Sequence, residues 1–295
     1  MKNTGMQLAA INYGSTPLIT DPQGIEFLQW CLPRLGLRWL GFRKIRGRLY
    51  KRLKRRLHEL GLPSLAAYQS YLADHAEEWP LLSSLCWMPI TRFYRDRNVF
   101  QLLETEILPQ LVQLVSAGGE NQLRCWSAGC ASGEEPHTLE ILWQQQFVQR
   151  NPTLEFSVVA TDIDPQAIQR AQRGCYHWSS MKELPAEWKR DAFDVSGEEL
   201  CLKDEYRSGV TFLVQDLRDN DPNGMFHLIL CRNLAFTYFD EASQQNTLRR
   251  LLNKLTPGGA LIIGKLETLP EVGTQLVEWF PHSGVYRKPL TQAAN

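Results

Sequence analysis

The chain has 295 residues, 43% of them apolar and 22% charged, enough to bury a real core, which excludes wholesale disorder. Its formal net charge is zero, with 32 basic and 32 acidic residues, an average that hides a local asymmetry. Seven cysteines, an odd number with no Cys-x-x-Cys pair, exclude a disulfide framework and a zinc site and read as reduced core residues.

Residues 1–24 are polar, with little periodicity, and read as a weakly ordered arm. They carry no basic-then-apolar signal pattern, and no apolar run is long enough to span a bilayer, so the expected location is cytoplasmic, with no membrane insertion. Residues 25–118 read as a small all-α N-terminal domain with a linker. Ile45, Leu49, Leu53, Leu57 and Leu60 recur at helical spacing, and Ser64 is a candidate N-cap for the next helix. Between Arg34 and Arg56 there are eleven Lys or Arg residues and no acid. Most charge runs are solvated helix faces. This one lacks the interspersed Glu that would relieve self-repulsion, so the 34–56 helix is expected to meet a polyanion. Composition leaves nucleic acid, an anionic membrane surface and an acidic protein helix all open.

After a helix over 99–115, Gly118 and Gly119 mark a boundary, and strands and helices then alternate through 119–295. Strands are expected at 122–127, 155–161, 212–214, 226–231 and 260–264, with helices at 136–150, 165–173 and 241–255. This is an α/β chain with a doubly wound, mostly parallel sheet. Tyr286 is expected in an antiparallel edge strand. The alternation lapses over about 174–209, an insertion rich in aromatic and charged residues.

The stretch that organises this domain is Ser127-Ala128-Gly129-Cys130-Ala131-Ser132-Gly133-Glu134-Glu135-Pro136. A strand breaks into a small-residue turn and opens a helix, where doubly wound sheets hold nucleotide-like cofactors. Gly129 and Gly133 let the backbone approach a ligand. No Lys-Ser/Thr pair follows the turn, and Glu134 and Glu135 stand where phosphate oxygens would go, so a neutral or cationic ligand is expected. Asp162 ends the second strand, in the place of an acid that takes ribose hydroxyls, and Asp164 reads as an N-cap before Pro165. Asp216 follows the third strand and can accept from an exocyclic amine while Leu217 packs on a purine. Acids after successive strands, without a phosphate lock, point to S-adenosylmethionine. The six histidines are scattered, and no cluster suggests a metal.

Several segments together resemble the CheR-type chemotaxis-receptor methyltransferases. They are Thr91-Arg92-Phe93-Tyr94-Arg95, Gly129-Cys130-Ala131-Ser132-Gly133-Glu134-Glu135-Pro136, Ala160-Thr161-Asp162-Ile163-Asp164, Cys231-Arg232-Asn233, Gly264-x-x-Glu267 and Val285-Tyr286-Arg287. The resemblance covers roughly residues 25–290. It implies a Rossmann-like methyltransferase sheet, transfer of methyl from S-adenosylmethionine to glutamate side chains of a receptor helix, and a basic N-terminal helix that faces the acidic substrate. It also implies roles. Thr91 and Arg95 would approach the methionine end, with Arg95 near the transferred methyl. Glu135 would hold the amino-acid portion or its neighbourhood, Asp162 the ribose, and Asp216 and Leu217 the adenine, with Gly129 in the cofactor-binding turn and Cys231 and Arg232 lining the same pocket. Tyr238 and Arg95 would orient the acceptor.

The chain departs from the family pattern on the acceptor side. Pro89 replaces a polar Asn, Lys265 a His, and His137 a Tyr, and the segment 234–240 is one residue longer, which is expected to displace Tyr238. The cofactor floor is better kept than the acceptor side. A different acceptor (a small molecule or RNA) and a degenerate scaffold that keeps only the cofactor site are therefore the alternatives to glutamate methylation.

Overall fold

The computed structural model describes residues 19–271 and 275–290, so the arm read over residues 1–18 lies outside the described residues. Within the rest of that arm, a helix already starts at Asp21 (Asp21–Cys31). The Thr20 hydroxyl and N–H both donate to Gln23 Oε1, at 2.8 and 3.3 Å, which seals the helix start. The chain divides into two units. One holds the described residues up to Leu35 and Phe42–Cys86; the other holds Gly36–Gly41 and the chain from Trp87 onward. Residues 87–118 therefore fall with the sheet and not with the helices before them. Leu108, Leu111 and Val115 of the helix Leu108–Ala117 are buried in one cluster with Leu123 and Ile262.

The first unit is helical: Asp21–Cys31, Arg46–Glu59, Leu65–Asp74 and Glu78–Leu85. The basic run is not one helix from residue 34, because Gly36 takes a positive φ of 67° and the chain turns through residues 32–45 before the long helix begins at Arg46. Leu49, Leu53 and Leu57 are fully buried at four-residue spacing, which fixes which face packs inward. A buried acid of this unit is satisfied: Glu78 accepts from Arg56 Nε and Nη2 (2.8 and 2.6 Å) and from the Tyr68 hydroxyl (2.6 Å). Ser64 caps Leu65–Asp74 by accepting from the Ala67 N–H at 3.2 Å, as its sequence position predicts.

The second unit is built on a seven-stranded sheet. In chain order its strands are β1 (Gln122–Ala128), β2 (Glu155–Asp162), β6 (Val210–Val214), β7 (Phe226–Cys231), β8 (Leu255–Ile263), β9 (Val277–Phe280) and β10 (Val285–Arg287). The insertion supplies β3 (Cys175–His177), β4 (Phe193–Ser196) and β5 (Glu199–Leu202), a separate three-stranded sheet in the order β3-β5-β4. The main order is β6-β2-β1-β7-β8-β10-β9. The first five of these strands run parallel; β10 pairs antiparallel with both β8 and β9. Tyr286 is thus antiparallel as expected but lies inside the sheet, because β9, which the sequence did not announce, takes the edge. β9 is short and half exposed, so it lacks the apolar run that marks the buried strands.

β7 is buried at every position, which is why six consecutive apolar-looking residues form a strand and not a helix here. The chain leaves β1 toward β2 and β6, then crosses to β7 and β8 on the other side. The crevice between β1 and β7 is therefore the topological switch point, where ligands settle on such sheets.

The cysteine expectation needs correcting. Cys31, Cys86, Cys125, Cys130 and Cys231 are free and buried, but Cys175 and Cys201 form a disulfide. They stand opposite each other on β3 and β5, a register that spacing in the sequence does not disclose.

One buried acid is left half-satisfied inside the helix Glu134–Gln146. Glu140 accepts from Gln144 Nε2 at 2.9 Å, its Oε2 has no partner among the described residues, and burial pushes it up to about 7. The folded state holds this proton where the unfolded chain has already lost it. Its ionisation therefore costs stability as pH rises from about 4.5 through about 7, at roughly 1.4 kcal/mol per unit. Glu140→Gln is expected to be about 2–3 kcal/mol more stable than wild type at pH 8 and about equal at pH 4.5. Urea unfolding at the two pH values checks this, and equal stability at pH 8 would contradict it.

Candidate functional site

The C-terminal ends of the parallel strands put the sequence-singled residues on one edge. β1 runs into the turn 129–133, where Gly129 and Gly133 have φ of 82° and 89°. A Cβ at Gly129 would collide with the Leu234 side chain, and one at Gly133 would lie 2.7 Å from Ala171 Cβ, so both positions need glycine for space as well as for backbone conformation. The Gly129 and Cys130 N–H groups both donate to the Thr161 carbonyl, at 2.8 and 2.9 Å, which ties the turn to β2.

Asp162 braces the same turn. Its Oδ2 accepts from the Ala131 N–H at 2.8 Å and its Oδ1 from the Asp164 N–H at 2.9 Å. Burial raises its pKa. Each carboxylate oxygen offers two acceptor positions, so the residue keeps capacity for a pair of hydroxyls. Asp164, as expected, caps its helix through the Gln166 N–H at 2.9 Å.

The two glutamates after the turn have separate fates. Glu135 is spent inside the protein: Oε1 accepts from the Ser127 hydroxyl at 2.8 Å and Oε2 from Arg232 Nη1 at 2.9 Å. Glu134 is buried, the Thr91 side chain hydrogen-bonds its carboxyl, and its Oε2 has no partner among the described residues. Burial pushes Glu134 up to about 7. A buried carboxylate oxygen with nothing to accept from is a ready seat for a cation. The sequence singled out Glu135; the carboxylate oxygen left without a partner among the described residues belongs to Glu134.

Arg232 is likewise a hub. Its guanidinium also reaches Asp96 Oδ2 at 2.6 Å and the Arg95 carbonyl at 2.9 Å, so one buried cation joins the end of β7, the turn helix and the segment 91–96. That segment is otherwise held by the Tyr94 N–H donating to Thr138 Oγ1 (3.2 Å), the Phe93 N–H donating to the Ser180 carbonyl (3.0 Å) and an Arg92–Glu183 ion pair (2.8 Å). The last two partners belong to the insertion, which thereby positions Thr91 and Arg95. Arg95 itself donates from Nη1 to the Ile90 carbonyl at 2.5 Å.

Asp216 follows β6 on the same edge, but its carboxylate is held by Arg218 at 2.7 Å and by the Arg218 N–H at 2.9 Å. Burial pushes its pKa up, and the side-chain and backbone hydrogen bonds from Arg218, with the charges of Arg218 and Arg250, together more than offset that, so it stays below the usual carboxylate value. Leu217 is buried beside it, and Cys231 is wholly buried with its thiol driven up by burial. Tyr238 ends a short helical turn, Ala235–Tyr238. Contacts thus link Thr91 to Glu134, Arg232 to Glu135 and to the Arg95 carbonyl, and Asp162 to the turn that begins at Gly129. Sequence reasoning missed Glu134 as the acid with an open valence.

The fit to an adenosyl cofactor rests on that orphaned oxygen, on the glycine turn and on the lack of a phosphate cradle. Two acids and a glycine turn at the switch point of a sheet whose antiparallel β10 lies between β8 and β9 define a Rossmann-like methyltransferase domain, and its cofactor is S-adenosylmethionine. Residues 90–283 match the CheR methyltransferase, SAM binding domain. The chain belongs to the CheR methyltransferase family. It is 32% identical over 186 residues to a chemotaxis protein methyltransferase of Listeria innocua, covering 63% of this chain and 68% of that one. It is 29% identical to chemotaxis protein methyltransferase 2 of Vibrio cholerae, over 81% of this chain and 84% of that one. An uncharacterised 104.1 kDa protein of Rhodobacter capsulatus is 31% identical over 77% of this chain, which spans only 23% of that protein's length.

Proposed function

We propose that this protein methylates glutamate carboxylates on an acidic helical segment of a partner protein, a chemoreceptor cytoplasmic domain being the type. The relatives' names support the class of substrate. The observation that carries the reading is the row of exposed cations Arg43, Lys44, Arg48 and Lys51, on and just before a helix whose opposite face is buried leucine. Among the described residues their charge is not absorbed by ion pairs, unlike that of Arg46 with Asp21 or Arg56 with Glu78. A helix bearing glutamates is the complementary surface.

The residues divide the work as follows. Glu134 would seat the cationic methionine end, steadied by Thr91, and Asp162 would take the ribose hydroxyls. Leu217 would offer an apolar wall to adenine, with Asp216 beside it. Bound there, the cofactor supplies an electrophilic methyl on sulfonium sulfur. A glutamate acceptor is already ionised near neutral pH, so no general base is required. What the chain must add is alignment, and Arg95 and Tyr238 would supply it by hydrogen-bonding an incoming carboxylate.

The test is transfer of labelled methyl to a candidate acidic protein, followed by mild base. A glutamyl methyl ester is expected to release the label as methanol. Label that survives base would refute the ester reading, and label on RNA or a metabolite would move the acceptor to another class.

A further inference from the structure

The short segment Gly36–Gly41 is flanked on both sides by chain of the helical unit, yet it belongs to the α/β unit. Its contacts are concentrated on one target, the loop 234–240. The Arg38 N–H donates to the Tyr238 carbonyl at 2.8 Å. The Arg38 side chain donates from Nε to the Thr237 carbonyl at 3.0 Å and from Nη2 to the Phe236 carbonyl. Leu37 forms an antiparallel bridge with Phe239, and Gly36 accepts from the Asp240 N–H at 2.9 Å. Every residue from Phe236 to Asp240 is thus touched by this segment. At Gly41 a Cβ would collide with the Thr237 carbonyl oxygen and lie 2.9 Å from Tyr238 Cδ1, so only glycine lets the two backbones approach this closely.

A second grip comes from the other side. The Thr237 hydroxyl donates to Glu267 Oε1 at 2.5 Å, and Glu267 Oε2 accepts from the Asn233 and Gly264 N–H groups at 2.8 and 2.6 Å. The loop also reaches the cofactor turn, since Leu234 fills the space that a Cβ on Gly129 would need. Thr237 stands in the segment that the family pattern makes one residue shorter. A longer loop has more conformations available, and each must be excluded for Tyr238 to keep one position. Arg38 satisfies the carbonyls of Phe236 and Thr237, at the end of the one-turn helix, where no intrahelical N–H follows to take them.

We infer that Gly36–Gly41, acting chiefly through Arg38, is a positioning element for the acceptor-side loop, holding Tyr238 in one place within the loop whose Leu234 packs against the turn at Gly129. Arg38 acts through the backbone of the loop and is a positioning residue, not a catalytic one. The role in turnover rests on the function proposed above; the clamp on the loop does not.

The test labels the protein with 3-fluorotyrosine and follows the fluorine line of Tyr238, assigned with Tyr238→Phe. Arg38→Ala is expected to shift or broaden that line while the lines of Tyr68 and Tyr176 stay in place. Turnover should fall about 10- to 100-fold in kcat, since displacement of a positioning group by about 1 Å costs that much. The KM for S-adenosylmethionine and the calorimetric affinity for S-adenosylhomocysteine should remain within about twofold of wild type. Arg38→Lys, which keeps a donor, should recover part of both readouts. If Arg38→Ala does not fold, Gly41→Ala serves instead, because it displaces the loop without removing a hydrogen bond. An unmoved Tyr238 line overturns the inference, and so does a moved line with full turnover. If the wild type methylates no carboxylate but the line moves in Arg38→Ala, the proposed acceptor falls and the clamp stands.

Discussion

Glu134→Gln is expected to bind S-adenosylmethionine about 10- to 100-fold more weakly than wild type, while the fold survives and is slightly more stable above neutral pH. The affinity loss is that of one charge-assisted contact to a cation, worth about 1.5–3 kcal/mol. The stability gain follows from the same burial that raises the group to about 7, since a buried carboxylate with one oxygen unpartnered among the described residues costs free energy when ionised. The acid must be ionised to hold a cation. Wild-type affinity should therefore fall as pH drops below about 7, by up to about tenfold per unit, and the Gln variant should lack that dependence. Calorimetric titration at pH 6 and pH 8 decides it. A Glu134→Gln protein that binds as tightly as wild type would remove the acid from the site, and a Glu135→Gln protein with the larger affinity loss would restore the assignment read from sequence.

The largest stability effect is expected at Arg232. Arg232→Ala should lose about 3–5 kcal/mol, because removing one partner of a buried ion cluster strands the others. Here the stranded groups are Glu135, Asp96 and the Arg95 carbonyl. A shift of roughly 2–4 °C per kcal/mol in a domain of this size puts the drop in Tm at about 6–20 °C. Cofactor affinity should fall too, since Asp96 takes φ of 63° directly after Arg95 and that strained turn depends on Arg232. Thermal unfolding with and without S-adenosylhomocysteine separates the two effects. A variant with unchanged Tm and weakened binding would make Arg232 a direct cofactor contact and not a structural hub.

The residues show how far the sequence could be read. The glycine turn, Asp162 and the buried strands were legible because each is a local pattern: a positive-φ position, a strand end, an apolar run between breakers. The pair Glu134 and Glu135 was legible only as a pair. Successive helical residues point about 100° apart, and which one meets Ser127 and Arg232 depends on a strand end 97 residues away. Asp216 reads as a free acid until Arg218, two residues on, is seen folding back over it. The Cys175–Cys201 bond needed the register of β3 on β5, and β9 was too short and too exposed to declare itself.

The class of the sheet, the place of the cofactor crevice and the phosphate-free character of its ligand follow from the sequence by itself. Each rests on backbone periodicity or on residue types within a single turn, and those are short-range properties of the chain. The tertiary structure alone decided which carboxylate oxygens are left without a partner among the described residues, that Arg232 is a hub, and that Arg38 grips a loop 199 positions away. Those outcomes depend on burial and on which distant donors arrive. A side chain's valence is settled only when every neighbour is in place.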